Sequence, residues 1–250
     1  MRVIWSLILI AFSLKGYCQP KKEQENKPAR EYKDLLSLFV DHKYPALLNK
    51  AENYTQGDDT KKDPLPYLYI SMALYEMSKI EKYTKQEEYK NAFKDAMKYC
   101  SKYAAKDKEK IYVEEFPDFF INIRKDITVE GDLFYEQQKF TKAKLYYDCL
   151  IDVEPSDAGA HLMLALCFAH AKAVKDSDTE FAKAKELLSS HTYSTRNDEI
   201  KKLLKNSLIL YANELGDASD KKKAAEWMGY ANELFADDPE WQINYNSVTE

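Results

Sequence analysis

The chain has 250 residues, a formal net charge of −5, and 45% hydrophobic and 32% charged side chains, enough apolar material for one large domain or a short solenoid. Six glycines and eight prolines are too few for a β-rich fold with many tight turns, and helical spacing dominates, so an all-α domain is predicted. The acidic balance argues against a nucleic-acid or anionic-membrane surface, which needs a basic stripe.

Arg2 followed by the apolar run Val3 to Leu14 predicts an export signal over residues 1–18. Gly16 and Cys18 are the small residues before a cut at Gln19. Lipidation at Cys18 is the competing processing. It fits less well, because Tyr17 and Lys15 stand where such signals carry small and apolar residues. Cleavage removes two basic residues and no acid, which takes the net charge from −5 to −7. The mature protein is expected to be periplasmic or secreted, and its leading glutamine resembles exported proteins of Bacteroidota. Residues 19–30 are polar, contain Pro20 and Pro28, and read as a disordered leader. No later apolar run approaches the ~18 residues of a membrane span.

Helical hairpins follow over residues 31–243. The first, Glu31 to Gln56, has an apolar first helix (Leu35, Leu36, Leu38, Phe39, Val40), a turn at Lys43-Tyr44-Pro45, and Leu47, Leu48 and Ala51 on its second helix. The second begins at Tyr67, with Tyr67, Ile70, Ser71 and Leu74 spaced 3, 1 and 3 apart, and returns through Tyr89, Ala92, Ala96 and Tyr99. The Lys-, Glu- and Tyr-rich insertion between them predicts that both helices are lengthened. Ile111 to Ile123, interrupted by Pro117, reads as a short or kinked helix whose aromatics pack between the two halves.

The stretch Arg124 to Asp157 carries Gly131, Phe134, Phe140, Ala143, Tyr147 and Pro155 at spacings of 3, 6, 3, 4 and 8. His161, Leu164, Ala165 and Phe168, then Leu208, Tyr211, Ala212 and Leu215, repeat the 3, 1, 3 spacing in a fourth and a fifth hairpin. These positions share one helix face, and the small residue lets the partner helix come close. Gly216-Asp217 is expected as the last turn, Pro239 as the closing residue, and 244–250 as a C-terminal tail.

This pattern resembles the tetratricopeptide repeat. The resemblance is specific in Arg124–Asp157 and weak in the first hairpin. It implies a right-handed α-solenoid of about five hairpins. Glu130 and Leu150 depart from the pattern, and hairpins two, four and five exceed its length, which predicts an irregular superhelix. The family lines its groove with first helices. Carrying those positions over gives candidate partner-binding residues Leu68, Met72 and Tyr75, then Thr128, Asp132 and Tyr135, then Leu162, Leu166 and Ala169, then Ile209 and Asn213. Leu162 and Leu166 also fit a core role, and Tyr75 and Tyr135 are the expected exposed anchors. The Lys and Asn of the family's carboxylate-clamp members are mostly absent.

There is no glycine-rich phosphate loop, GxSxG or HExxH. The histidines His42, His161, His170 and His191 are scattered, so neither metal nor cofactor is expected. Cys100, Cys149 and Cys167 read as small buried hydrophobes, with a Cys149–Cys167 bridge as the alternative. The chain is therefore expected to be a non-enzymatic adaptor for protein or peptide partners, in an envelope or secretion complex by resemblance alone. The alternative is a carbohydrate- or small-ligand-binding helical protein using its tyrosines as stacking platforms.

Overall fold

Each predicted hairpin forms, but the connections differ from expectation. A computed structural model describes residues 31–217 and 220–250; the expected export signal (1–18) and leader (19–30) lie outside the described residues. Among the described residues there are thirteen α-helices and no strand. Five hairpins pair α1 (Lys33–Val40) with α2 (Tyr44–Gln56), α3 (Leu65–Ser78) with α5 (Ala92–Ala104), α7 (Pro117–Glu136) with α8 (Phe140–Val153), α9 (Ala158–His170) with α10 (Val174–Ser189), and α11 (Asp198–Asp217) with α12 (Lys221–Gly229). They stack into an all-α solenoid, with α2 on α3, α5 on α8, α8 on α9, and α9 on α11.

Small residues sit where helices cross. The Ser71 hydroxyl donates to the Ala96 carbonyl at 2.7 Å, and the Ser177 hydroxyl donates to the Ala165 carbonyl at 3.0 Å. At Gly131 an added Cβ would lie 3.1 Å from Tyr146 Cβ and 3.3 Å from the Tyr147 ring, so the α7–α8 crossing is tight there and takes a methyl only if those side chains shift by a fraction of an ångström.

Three hairpin turns share one device. His42, Gln138 and Lys172 adopt left-handed φ of 55°, 57° and 60°. The next N–H in each case donates back to a carbonyl five residues earlier: Lys43 to Leu38, Lys139 to Phe134 and Ala173 to Phe168, all at 2.8–2.9 Å. This is a helix-ending motif that usually takes glycine. Here ordinary side chains occupy it, so the sequence does not mark it. Gln138 and Lys172 lie 34 positions apart, the tetratricopeptide period.

The insertion in the second hairpin does not lengthen its helices. It folds as the separate α4 (Glu81–Thr84) and a 3-10 turn (Glu87–Tyr89). Nor does Pro117 interrupt a short helix. After α6 (Ile111–Glu115), Pro117 opens the 20-residue α7, where its missing N–H costs nothing. The aromatics near it do join two hairpins: Phe119 lies 5.8 Å from Tyr75, and Phe120 lies 5.5 Å from Tyr103. Arg124 makes a buried ion pair with Asp157, whose other oxygen accepts from Ala160 N at 3.0 Å and caps α9. The two ends of the most regular repeat unit are thus tied to each other.

The expected tail is helical. Asp238 caps α13 (Pro239–Thr249) by accepting from Trp241 N at 2.9 Å, and Pro239 again opens a helix instead of closing one. Trp241 is fully buried, 4.9 Å from Phe235, with its indole N–H donating to Asn232 at 3.0 Å. The compact unit therefore extends over Tyr32–Glu250, and Gly216 lies within α11. Cys100, Cys149 and Cys167 are buried free thiols. Cys149 faces α5, with its thiol 3.6 Å from the Met97 carbonyl, away from a pairing with Cys167.

Candidate functional site

The groove residues expected on α3 are core. Leu68 is fully buried, Met72 is nearly so, and Tyr75 is 2% exposed. Its hydroxyl donates to Asp126 at 2.7 Å, and Phe93 and Phe119 pack against its ring. The start of α7 covers this position, so Tyr75 is no exposed anchor. On α7, Thr128 is half-buried and its hydroxyl has no partner, whereas Asp132 and Tyr135 reach an open cleft. On α9 and α11 the register is one residue later than expected. Leu162 and Leu166 are buried, because α8, α10 and α11 all pack on α9. Met163 and His170 line the cleft instead. On α11, Leu210 and Glu214 replace Ile209 and Asn213; Asn213 is exposed outside the cleft lining.

The cleft has a volume of about 590 Å3 and is built from α7, α9 and α11. Met163, Leu203 and Leu210 give it apolar surface, and Phe140 stacks on His170 with ring centroids 4.5 Å apart. The Tyr135 hydroxyl donates to Glu214 Oε1 at 2.7 Å. His170 Nε2 lies 3.0 Å from the Tyr135 oxygen and 3.2 Å from Glu214 Oε1. A proton on Nε2 would serve both acceptors. Three helices thus converge on one hydrogen-bonded cluster. Nothing local in the sequence announces it, because the partners are 35 to 79 residues apart.

Burial raises the Tyr135 phenol well above its ordinary pKa, and the hydrogen bond to Glu214 adds to the shift. Burial also raises the Asp132 carboxyl. The Tyr147 hydroxyl, donating at 2.6 Å, opposes this, the Glu136 carboxylate reinforces it, and Lys202 opposes it from a distance. Asp132, Glu136 and Glu214 all line the cleft, and among the described residues no Lys or Arg does.

A smaller cleft of about 300 Å3 lies between α1, α3 and the start of α7, lined by Phe39, Phe116 and Phe119 with Glu76, Glu115 and Asp118. It too lacks Lys and Arg in its lining, although Lys79 lies 3.6 Å above the Tyr75 ring and 3.8 Å from Glu76. Three further cavities each contain a base: Arg124 and Arg196 in one, Lys98 in another, and Lys201, Lys202 and Lys205 in the third. Among the described residues no helix is long and apolar enough to cross a membrane, and no group of three or more His, Cys, Asp or Glu is arranged to hold a metal ion.

The helix pairs, their small-residue crossings and the 34-residue recurrence of the turn define a tetratricopeptide-like α-solenoid. No family model matches the chain, and no curated protein does. Among solved structures it is similar to the TPR2AB-domain:pHSP90 complex of yeast Sti1, at 13% identity and a TM-score of 0.33, covering 86% of this chain and 83% of that one. It is also similar to the C-terminal part of a TPR repeat-containing protein from Cytophaga hutchinsonii, at 15% identity and a TM-score of 0.30, covering 86% and 99%. Overlaps this partial transfer no residue role to the present chain.

Proposed function

We propose that this chain is a non-enzymatic adaptor that holds a segment of a partner protein in the cleft of α7, α9 and α11. One observation carries the reading. The first helices of three successive hairpins share a single open cleft of about 590 Å3, whose apolar surface is punctuated by Tyr135, His170 and Glu214. Apolar contact with a few fixed polar groups is how a concave site gains both affinity and orientation. The polar cluster supports holding over chemistry. Its tyrosine proton is kept by Glu214, and the shift of Tyr135 is away from ionisation, so no activated nucleophile results.

The carbohydrate alternative needs several tyrosines around one cleft. Among the described residues Tyr135 alone of the tyrosines lines this cleft, whereas Tyr32, Tyr44, Tyr67, Tyr69, Tyr103 and Tyr147 are core. The tyrosine content is therefore mostly packing, which favours a protein segment as occupant. The reading includes export by the Val3–Leu14 run and work in a periplasmic or secreted complex.

A photo-crosslinking residue at Asn206, exposed in the cleft, tests the binding face. In the native host it should give a discrete protein adduct that the same residue at Lys175, exposed on α10, does not. Equal adducts, or none, from both positions would remove the cleft as the binding surface. N-terminal sequencing tests export; a mature chain starting at Gln19 is expected, and a retained Met1 or a lipidated Cys18 would overturn that part.

A further inference from the structure

We propose that the segment held in the α7–α9–α11 cleft presents a lysine or arginine side chain to the carboxylates of Asp132, Glu136 and Glu214; this rests on the adaptor reading and adds the chemistry of the partner. Those three carboxylates face one cleft with no Lys or Arg among its described lining residues. Among the described residues none of the three pairs with a Lys or Arg, and Glu214 has only His170 Nε2, at 3.2 Å, although the chain carries 37 basic residues and pairs many of its other acids. The three cavities elsewhere each hold a base.

The Asp132 charge is also expensive to keep. Burial and the neighbouring Glu136 both disfavour it, yet the residue is a carboxylate where an amide would accept the same Tyr147 hydrogen bond. A cation arriving in the cleft would remove that repulsion, so its binding gains from charge that Tyr147 and the more distant Lys202 compensate only in part. The aromatic wall suits the same guest. The aliphatic stem of Lys or Arg lies well on apolar and aromatic surface while its head reaches the acids. Beside the smaller cleft the same pairing of a base with an aromatic ring and a carboxylate is made within the chain, with Lys79 on the Tyr75 ring beside Glu76. A negatively charged guest, such as a chain-terminal carboxylate, would meet three like charges. The cleft is therefore opposite in sign to a carboxylate-holding groove.

The test uses the full chain and a mixed library of short, end-blocked peptides in basic, neutral and acidic classes, with spermine as a small-cation arm. Basic peptides are expected to be retained. Glu136→Gln and Glu214→Gln should each weaken them about tenfold, as expected for losing a charge-assisted contact. Glu136→Lys, at an exposed position that leaves the fold alone, should abolish retention, while the exposed Glu186→Gln on α10 should leave it unchanged. Retention of neutral or acidic peptides that is lost in Tyr135→Ala would overturn the charge assignment and leave the adaptor reading standing. No retention of any class would overturn both. Spermine binding as tightly as the best basic peptide would reassign the cleft to a small cation.

Discussion

Tyr75 and Tyr135 occupy the same position in two hairpins, each four residues after the small residue at the helix crossing, and they have opposite fates. Tyr75 is 2% exposed, its ring enclosed by Phe93 and Phe119 and its hydroxyl tied to Asp126. Tyr135 stands half-buried at the wall of an open cleft, its hydroxyl tied to Glu214. The repeat position sets which way each side chain leaves its helix. The next hairpin decides whether anything covers it. Beside α3 the incoming chain brings α6 and the aromatic first turns of α7. Beside the end of α7 the neighbour α9 brings His170, and α11 forms the far wall of the cleft with Leu210 and Glu214, so the space between stays open.

The comparison breaks most sharply on Tyr75→Ala. Truncating an enclosed aromatic and orphaning Asp126 should cost about 3–5 kcal/mol of stability, read as a shift in denaturation midpoint. A stable Tyr75→Ala protein would mean that the two tyrosines are not differently packed. Next comes Gly159→Ala, a test of what lies behind the cleft. An added Cβ would sit 2.7 Å from Leu204 N and 2.8 Å from its Cα, and backbone cannot rotate aside. A loss of about 3 kcal/mol is expected, at the upper end for overpacking.

Gly131→Leu should cost about 1–3 kcal/mol, because its neighbours are the Tyr146 and Tyr147 side chains, which yield more readily than backbone. Gly131→Ala should be close to neutral, since the gain of ~1 kcal/mol in helix propensity offsets the small clash. If Gly131→Ala proved as damaging as Gly159→Ala, the distinction between side-chain and backbone contact would fall. Tyr135→Ala should leave the fold largely intact and weaken partner binding by about 1–2 kcal/mol, the usual loss for an aromatic anchor. Melting temperature and affinity measured together sharpen the contrast with Tyr75.

The smallest effect is on pH dependence. The Asp132 pKa is raised in the folded protein, so its contribution favours folding below the ordinary carboxylate pKa of ~4 and is lost as pH rises through the folded value. Asp132→Asn should therefore melt higher than the parent at neutral pH, with the difference closing in acid. A lower melting temperature at neutral pH would show that the Asp132 charge stabilises the fold and would remove it as a sign of stored repulsion.

Much of the architecture was legible because helical spacing is local. A residue and its neighbours three and four positions on share a face whatever surrounds them, so the 3, 1, 3 pattern located three hairpins, and the longer run of spacings located a fourth with Gly131 at its crossing. Local rules erred where one residue type serves two ends of a helix. Pro117 and Pro239 read as breaks and both open helices, since proline fits the first turn as well as it ends the preceding one. The left-handed turns at His42, Gln138 and Lys172 were invisible because no glycine marks them.

The candidate site was legible only in part. Asp132 and Tyr135 came from the repeat position, while Leu68, Met72 and Tyr75 came from the same rule and are core. By itself the sequence determined the all-α class, the hairpins and the direction in which first-helix side chains leave their axes, because each follows from backbone geometry within a few turns. Only the tertiary structure decided the one-residue turn of α9 and α11, the passage of α9 against the α11 backbone at Gly159, and the meeting of Tyr135, His170 and Glu214 across 35 to 79 residues. Those depend on how whole hairpins seat on one another, a contact between surfaces that no single segment encodes.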